Sequence, residues 1–339
     1  MQNDYVLGVD GGKSKTVCLL ADTEGRLVGW GRAGNSDKYT VPLEHALDEV
    51  ALCVERALEQ GGIKAEQVAT GCFGLAGADW KEDFQELEAG LMRKGLANEV
   101  LVKNDAQIAL RANTESGTGV VVSAGTHLAA AIQTPEGKEW FSAWFSVEGV
   151  GGSEIGNRAL WAVLQAHDGR GEPTILTDLV LANKNMSHPS DFLHALSASE
   201  IDEDYLASLA PLVFAAHYHH ADPVAAQIII ACGKDISRWI TGLLKRFELS
   251  GKSIPAILTG GLFKSEGNLL MDVINMETHI KEPKLELRLA RVEPVIGALY
   301  LAYEMMGIPI TSELKEQVER NSPDADFFNT ASHQITTSI

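Results

Sequence analysis

The residues with the most evident chemistry follow the first apolar segment of the chain. The sequence from Gly8 to Thr16 reads GVDGGKSKT. Paired glycines let a backbone approach a phosphate closely, and the hydroxyls of Ser14 and Thr16 can donate hydrogen bonds to it. The carboxylate of Asp10 suits Mg²⁺ held through water, because hard cations prefer oxygen ligands. The segment therefore predicts a β-hairpin turn that binds nucleotide phosphates through Asp10, Gly11, Gly12, Lys13, Ser14 and Thr16.

This segment is not a Walker A loop, although Gly12-Lys13-Ser14 looks like the end of one. The first glycine of that motif would fall at position 7, which is Leu7, and the residues after the turn read as a strand rather than a helix. An ordinary glycine-rich hairpin with a turn-forming aspartate is the simpler alternative, because Gly-Gly turns are common.

Two further glycine turns in the second half of the chain repeat the same chemistry. Gly125 and Thr126 follow a predicted strand and form a second candidate phosphate turn. Gly260 and Gly261 follow another strand and precede a helix, which suits close approach of an adenine or a ribose. Three such turns on matching edges of two halves favour a nucleotide site over independent loops.

The elements that must position these turns follow from the apolar pattern. In the first half, short apolar runs joined by glycine turns predict strands, and apolar residues at helical spacing predict helices. The strands are expected over 5–9, 16–21, 26–30, 71–77 and 100–103, and the helices over 42–60, 81–94 and 106–112.

The second half repeats this order. Strands are expected over 119–123, 129–133, 139–145, 254–258 and 285–292, with helices from about 156, over a long stretch at 175–247, and over 296–305. Two successive halves of the type βββαβαβα indicate a structural duplication in an α/β protein, and such halves usually face each other across a cleft.

Composition excludes several classes of function. The formal net charge is −18, so the surface repels nucleic acid, and no basic stripe offsets it. No apolar run approaches the roughly 18 residues that a membrane-spanning helix needs, and no basic or apolar signal segment begins the chain. The four cysteines are far apart without a CxxC pair, which argues against a disulfide framework or a zinc site. We expect a cytoplasmic protein with reduced thiols.

Six motifs together resemble the BadF/BadG/BcrA/BcrD ATPase family, and within it the N-acetylglucosamine kinase-like branch of the sugar kinase/Hsp70/actin superfamily. The resemblance covers about residues 4–306. It rests on DGGKSKT (10–16), GLAG (74–77), KND (103–105), AGT (124–126), LTGGLF (258–263) and PVIGALYLA (294–302). DGGKSKT together with KND is fairly specific, whereas GLAG alone is weak.

The resemblance implies an α/β fold of two ribonuclease-H-like, actin-type ATPase domains facing a cleft. The N-terminal domain would span 1–117 and be completed by a C-terminal helix at about 296–320. The second domain, with a helical insertion, would span 118–295, and a polar tail would occupy 321–339. A homodimer is common among relatives.

The activity implied by the resemblance is ATP- and Mg²⁺-dependent phosphorylation of an amino sugar, of the N-acetylglucosamine or glucosamine type, at its 6-hydroxyl. Asp105 would be the general base. The simpler alternative is that Asn104-Asp105 only caps a helix. Asn35 would hold sugar hydroxyls, although Gly34-Asn35-Ser36 can equally be an ordinary turn. The remaining implied contacts are to sugar at Gly77, Ala78, Asn104, Gly149 and Gly152, and to adenosine at Gly233, Gly260 and Gly261.

Three positions depart from the family pattern. His127 replaces the second glycine of GTGS. Val150 and Gly151 replace the aspartate and the glutamate of GDEGS, where this chain reads Gly149-Val150-Gly151-Gly152-Ser153. Losing a charged partner for a sugar hydroxyl weakens binding, although Glu148 or Glu154 could substitute. The departures imply either a different substrate or a changed site.

Two clusters have simple explanations. The histidines of 217–220 could bind zinc but fit a solvated helix end better. Trp140 and Trp144 could stack on a sugar, yet core or dimer packing is the simpler role.

Two competing functions remain. One is a non-catalytic ATP- or sugar-binding sensor, favoured by His127 and Val150 but not by the presence of Asp10, Thr16 and Asp105. The other is the ATP-driven activator of a CoA-dependent dehydratase. It needs cysteine ligands for an iron–sulfur cluster, and the scattered cysteines argue against it.

Overall fold

The computed structural model describes residues 5–142 and 150–328. The chain divides into two compact units. Unit 1 takes the chain through Gly117 and again from Arg291 onward, and unit 2 runs from Thr118 to Ala290. Each unit is built on one five-stranded sheet.

The described strands are β1 (Tyr5–Gly11), β2 (Thr16–Asp22), β3 (Leu27–Ala33), β4 (Val68–Leu75), β5 (Glu99–Asn104), β6 (Gly119–Ala124), β7 (Leu128–Gln133), β8 (Glu139–Phe141), β9 (Pro255–Thr259) and β10 (Glu286–Leu289). The described helices are α1 (Leu43–Gly61), α2 (Lys81–Lys94), α3 (Asp105–Ala112), α4 (Gly152–Asp168), α5 (Leu176–Asn183), α6 (Ser190–Ser197), α7 (Glu203–His220), α8 (Pro223–Arg246), α9 (Leu269–Lys281), α10 (Pro294–Met305), α11 (Ser312–Arg320) and α12 (Ala325–Phe328). Short 3₁₀ turns occur at Ala65–Gln67 and Gly261–Lys264.

The sheet of unit 1 has the order β3-β2-β1-β4-β5. β2 runs antiparallel to both of its neighbours, whereas β1, β4 and β5 are parallel. The carboxyl ends of β1, β3, β4 and β5 therefore meet the start of β2 at one edge, which we call the unit 1 edge. In register, Gly11 lies opposite both Thr16 and Leu75, and Leu75 lies opposite Asn104.

Alternating side chains of β1 bury both faces of this sheet, as expected for a strand with period two. Leu7 and Val9 belong to a core formed with α1 and α2. Val6 belongs to a second core, shared with α10, on the other face. Gly8 permits this second contact, since a Cβ there would lie 2.5 Å from the backbone nitrogen of Leu299. The sheet and α10 can therefore approach to backbone contact.

The sheet of unit 2 has the order β10-β9-β6-β7-β8, which repeats the connectivity of unit 1. β6 is parallel to β9 and antiparallel to β7. The carboxyl ends of β6 and β9 meet at what we call the unit 2 edge. The predicted helical stretch at 175–247 consists of four helices, α5 to α8. One break occurs at Asp222, whose side chain accepts from Ala225 N at 2.8 Å and caps α8.

Two predicted segments differ from the structure or extend beyond its described part. The chain past 320 contains α12, whose Phe328 is buried in the core shared with α10, so this part of the predicted polar tail contributes to packing. Residues 329–339, and residues 143–145 of the predicted strand at 139–145, lie outside the described residues. None of the helices within 5–142 and 150–328 is both long and apolar enough to cross a membrane.

Candidate active site

The unit 1 edge brings together residues that are far apart in sequence. Asp10 and Gly11 end β1, and Asn35 follows β3. Gly77 and Ala78 follow β4, and Asn104 and Asp105 join β5 to α3. Their convergence is a direct consequence of the sheet order, because each of these strands points toward the same edge.

The β1–β2 turn is a tight hairpin in which Gly12 N donates to Lys15 O at 2.9 Å. Ser14 is exposed at its tip, and Lys13 is half-buried beside it. Exposure at the tip leaves Ser14 accessible to a ligand.

Two predicted phosphate-binding residues of this turn have another role. Thr16 is fully buried, and its hydroxyl donates to Gly34 O at 2.8 Å and lies 2.7 Å from Ser36 Oγ. A Cβ at Gly11 would lie 2.4 Å from Ser36 Oγ, so this glycine makes room for the loop after β3. The assignment of both residues to phosphate stays a prediction, and in this structure the hydroxyl of Thr16 and the space beside Gly11 also serve the packing of that loop.

Asp105 is the first residue of α3 and follows the N-cap Asn104. Ala106 N donates to Asn104 Oδ1 at 3.0 Å and to Asp105 Oδ1 at 2.8 Å. The predicted helix cap therefore exists, and it fixes the carboxylate of Asp105 at the helix start. Burial raises the pKa of Asp105 to about 6, and the charge of Asp37 adds to that effect. A carboxyl that titrates near neutrality is suited to exchange a proton with a hydroxyl.

Asp79 is a further acidic residue at this edge that the sequence motifs missed. Burial, followed by the charge of Asp105, raises the pKa of Asp79 to about 7. Asn104 Nδ2 lies 3.3 Å from both Asp79 Oδ1 and Ala78 O and donates to them. Its position directly after Gly77-Ala78 at a strand end was the only signal in the sequence that could have indicated it.

The chemistry of Asp10 fits a hydrated divalent cation. Burial raises the pKa of Asp10 to about 7, and Asp105 and Glu293 add negative charge while Lys15 opposes them. A cation nearby would favour the ionised carboxylate. Among the described residues no three His, Cys, Asp or Glu side chains are grouped to ligate a metal directly. A site at Asp10 would therefore hold Mg²⁺ through water.

Asn35 lies in a turn, which is the alternative its sequence context suggested. Its Nδ2 donates to Thr40 Oγ1 at 2.9 Å, and its Oδ1 accepts from Asp37 N at 2.9 Å. These bonds fix the side chain at the unit 1 edge, and half-burial leaves it partly accessible.

The unit 2 edge is made of glycine-rich backbone. Gly125 and Gly261 are exposed, and a Cβ at either would meet nothing within 4 Å. Gly260 has φ +106°, and a Cβ there would lie 2.4 Å from Ala124 O. Gly152 N donates to Gly125 O at 2.8 Å, which joins the start of α4 to the turn that carries Thr126. The edge thus offers open space beside a backbone that only glycine permits at position 260.

Gly233 is buried in α8, away from any turn. A Cβ there would lie 2.8 Å from Val273 Cγ1, so the glycine allows α8 and α9 to pack closely. The predicted contact of Gly233 with adenosine has no support from this position.

The departures from the family pattern have structural explanations in unit 2. Val150 is buried in the hydrophobic core, where an aspartate would lack partners. His127 Nδ1 lies 3.3 Å from Ser153 Oγ, and its Nε2 lies 3.0 Å from Glu203 Oε2. Glu154, suggested as a substitute acid, is paired with Arg158 at 2.9 Å. The predicted contact at Gly149 and the alternative acid Glu148 lie outside the described residues.

Comparison with known proteins agrees with this geometry. The model of the BadF/BadG/BcrA/BcrD ATPase family matches residues 7–302. The chain belongs to this family.

Two curated relatives and one solved structure illustrate the similarity. An N-acetylmuramic acid/N-acetylglucosamine kinase from Clostridium acetobutylicum is 26% identical over 301 residues, which cover 88% of this chain and 98% of that protein. An N-acetyl-D-glucosamine kinase from Dictyostelium discoideum is 25% identical over 89% of this chain and 98% of its own length. A crystal structure of a candidate N-acetylglucosamine kinase from Chromobacterium violaceum superposes with a TM-score of 0.69, at 23% identity over 88% of this chain and 99% of that chain.

Two further clusters of the sequence, the histidines of 217–220 and the tryptophans, have packing or surface contacts where the structure describes them. His219 at the end of α7 pairs with Glu266 at 2.9 Å, as expected for a solvated helix end rather than a zinc site. Trp140 stacks on Trp239 with ring centroids 6.4 Å apart and carries the Arg246 guanidinium over its ring, which is a packing role. Trp144 lies outside the described residues.

Proposed function

We propose that this protein is an ATP-dependent kinase that phosphorylates an amino sugar, of the N-acetylglucosamine or glucosamine type, at its 6-hydroxyl. Membership of the ATPase family supports the nucleotide, and the relatives named as N-acetylglucosamine kinases, covered almost end to end, support the acceptor. We place the activity in the cytoplasm, where ATP is available and where the four free cysteines would stay reduced.

The observation that carries the proposal is the carboxylate of Asp105. It is fixed at the start of α3 by Ala106 N, and burial raises its pKa to about 6. At neutral pH it is mostly ionised, yet basic enough to accept a proton. A carboxylate at a strand end whose pKa is raised toward neutrality is suited to general-base catalysis.

In the proposed reaction Asp105 accepts the proton of the sugar 6-hydroxyl. The oxygen of that hydroxyl forms a bond to the γ-phosphorus as the bond from that phosphorus to the bridging oxygen breaks, and ADP leaves. Asn104 holds the start of α3, and so the position of Asp105, through its bonds to Ala106 N and Ala78 O. Asn35, Gly77 and Ala78 would line the acceptor side.

The phosphates are assigned to exposed backbone and hydroxyl groups. In unit 1, Gly12, Lys13 and Ser14 would contact them. Within unit 2, Gly125 and Thr126 form a second candidate phosphate turn, and Gly260 and Gly261 are the candidate adenosine contacts. Asp10 would hold Mg²⁺ through water. When bound, Mg²⁺ supplies positive charge to the β- and γ-phosphates.

A non-catalytic sensor is the second candidate, because Val150 removes an acidic sugar contact and His127 occupies a phosphate turn. The activator of a dehydratase is disfavoured. All four cysteines are buried within the units and are not exposed for a shared cluster.

The test is ADP release from Mg-ATP across a panel of amino sugars, neutral hexoses and no sugar. We expect turnover with one amino sugar, and a fall in kcat of about 10²–10⁴-fold in Asp105→Asn with the Kd for ATP unchanged. Asp48→Asn is the matched control, since Asp48 is an exposed acid on α1 of the same unit.

Sugar-independent ADP release, or ATP binding without any turnover, would exclude the kinase and favour an ATPase or a sensor. An active Asp105→Asn would exclude Asp105 as the base.

A further inference from the structure

Asp83, in the first turn of α2, is a buried acid that the proposed chemistry does not use. Only 4% of the residue is exposed. Its Oδ1 lies 2.7 Å from Lys38 Nζ, and both side chains of this pair are shielded from solvent, at 11% and 5% exposure. Buried ion pairs of this kind are rare without a structural or functional reason.

The partners of Asp83 come from two separate loops. The β3–α1 loop, residues 34–42, contributes Lys38 and also Tyr39, whose hydroxyl lies 2.8 Å from Oδ2 and donates to the carboxylate. The β4–α2 loop, residues 76–80, contributes the backbone nitrogens of Asp79 and Trp80, which donate to Oδ2 at 3.1 and 2.7 Å. One carboxylate therefore joins both loops.

Helix capping accounts for only half of these bonds. An acid in the first turn of a helix commonly accepts from the backbone just before it, as Asp83 does from Asp79 and Trp80. The bonds from Lys38 and Tyr39 cross 45 and 44 positions of sequence, and capping does not require them. Burial alone would raise the pKa of Asp83, but these hydrogen bonds lower it below its ordinary value, so the side chain stays ionised.

The two loops also touch directly. A Cβ at Gly77 would lie 2.7 Å from Lys38 Cγ and 3.1 Å from Lys38 N. The missing side chain of Gly77 thus sets how closely the loops approach, and Asp83 holds them at that spacing.

We propose that Asp83 is a positioning residue that holds the β3–α1 and β4–α2 loops together and thereby forms the acceptor side of the site. The proposal rests on the proposed function, because Asn35 lies in the first loop and Gly77, Ala78 and Asp79 lie in the second. Asp83 itself touches no reacting atom and acts through these loops.

The decisive experiment compares Asp83→Asn with Asp48→Asn in the full chain. Both variants remove an acid paired with a lysine in unit 1, but the Asp48–Lys94 pair is on the surface and holds no loop. We expect Asp83→Asn to raise KM for the sugar by about tenfold or more, because each loop loses a charged hydrogen bond. KM for ATP should change less than about twofold, since the loops lie on the acceptor side. Asp48→Asn should change neither.

Hydrogen exchange provides a readout that does not depend on turnover. We expect faster exchange of backbone amides in both 35–41 and 77–80 in Asp83→Asn, and in neither segment in Asp48→Asn. If Asp83→Asn fails to fold, Tyr39→Phe and Lys38→Met replace it, because each removes one of the two β3–α1 loop side chains that bind Asp83 and leaves the helix cap intact. Lys38→Met also removes the bond from Lys38 Nζ to Glu86 Oε2 at 2.7 Å, so Tyr39→Phe is the more specific variant.

The outcomes separate the two proposals. An unaltered protein without sugar turnover overturns the kinase, yet the exchange data still test whether Asp83 holds the loops. A sugar KM within about twofold of the unaltered protein, with exchange unchanged in both loops, overturns the role of Asp83. A purely structural role would lower the melting temperature and leave the sugar KM unchanged, which also overturns it.

Discussion

The unit 1 edge and the unit 2 edge belong to sheets of the same strand order but differ in their residues, since aspartates gather at the first and glycines at the second. Both sheets have three antiparallel strands followed by two parallel ones. The unit 1 edge gathers Asp10, Asp79 and Asp105, and burial raises the pKa of each. The unit 2 edge presents exposed glycine backbone at Gly125 and Gly261. The shared sheet order fixes where the strands end, and the residues at those ends give one edge buried carboxyl groups and the other exposed backbone.

The difference is also one of stability. Ionised carboxylates that are partly removed from water destabilise the folded state. Other interactions in unit 1 must therefore offset the free-energy cost of the carboxylates at its edge. The unit 2 edge instead depends, at Gly260, on a positive φ that other residues rarely adopt.

The largest expected effect comes from two neighbouring glycines of the unit 2 edge. Gly260→Ala introduces a Cβ 2.4 Å from Ala124 O at a positive φ, and should lower the free energy of unfolding by about 3 kcal/mol. Gly261→Ala meets no atom within 4 Å and should change stability by less than about 0.5 kcal/mol. If adenosine binds here, Gly261→Ala should still raise the Kd for ATP about tenfold by steric exclusion.

Calorimetric unfolding and ATP titration of both variants check this pair. An unchanged ATP affinity in Gly261→Ala would contradict the assignment of adenosine to the unit 2 edge.

A smaller effect is expected at the unit 1 edge, where Asp79→Asn should stabilise the free protein. The pKa of Asp79 is raised to about 7 by burial and by Asp105, so its folded form takes up a proton that the unfolded chain has released. The contribution of this proton to the free energy of unfolding is fully present below about pH 4, and it is lost as the pH rises through 7 and Asp79 ionises in the folded protein. After allowance for solvent screening, Asp79→Asn should gain about 1 kcal/mol at about pH 8, and the gain should vanish near pH 4.

Melting temperatures of Asp79→Asn and of the surface control Asp48→Asn across this pH range give the comparison. A gain independent of pH would mean that the charge of Asp79 is not the cause.

The sequence predicted the strands and helices that form each edge, but not the side-chain contacts between those elements within a unit. α2 lies over the predicted residues, Lys81–Lys94, because acidic residues begin it, basic residues end it and Gly95 stops it. Asp105 was identified from a motif at a strand end, and its place at the start of α3 confirms the predicted cap. Periodicity and local charge were sufficient for these features.

The features that the sequence did not indicate share a physical cause, which is that side-chain contacts between distant segments have no signature in one sequence. Thr16 and Gly11 match a phosphate turn by residue type, and nothing in the sequence indicated that both also pack against the loop after β3. Asp79 and Asp83 belong to no motif of the sequence. Burial and the charge of Asp105 raise the pKa of Asp79, and Asp83 binds Lys38, which lies 45 residues away.

The pH dependence of turnover sharpens the role of the unit 1 edge further. Asp105 must be ionised to act as the base, and its pKa is raised to about 6, so kcat/KM should fall as the pH decreases through 6. Asp37 is one cause of that raised pKa. In Asp37→Asn the fall of kcat/KM at acid pH, the acid limb of the profile, should therefore move to a pH lower by a few tenths of a unit, which corresponds to a free energy on the order of 0.5 kcal/mol. A pH–rate profile of both proteins tests this, and an acid limb near the ordinary aspartate pKa would contradict it.

A similarly small effect is expected for His127→Gly, which restores the residue of the family pattern at the unit 2 edge. The pair between His127 and Glu203 is largely exposed, at 47% and 66%, so its loss should change stability by less than about 1 kcal/mol. ATP affinity should rise no more than a few fold, roughly 0.5–1 kcal/mol, as the turn opens. A large gain in affinity would show instead that His127 obstructs the phosphate turn.

The packing of α10 has a consequence for how the protein is made. Gly8 of β1 lets the strand approach the backbone of α10 at Leu299, and Gly297 of α10 lets the helix approach the backbone of α3 at Ile108. In addition, Thr70 Oγ1 of β4 donates to Ala302 O of α10 at 2.8 Å. A nascent chain that has emerged only as far as the end of unit 1's first segment therefore exposes the apolar face that includes Val6. The ribosome must synthesise the whole of unit 2 before α10, so unit 1 begins first and is completed last. A product that terminates before α10 therefore keeps this apolar surface exposed and is prone to aggregate.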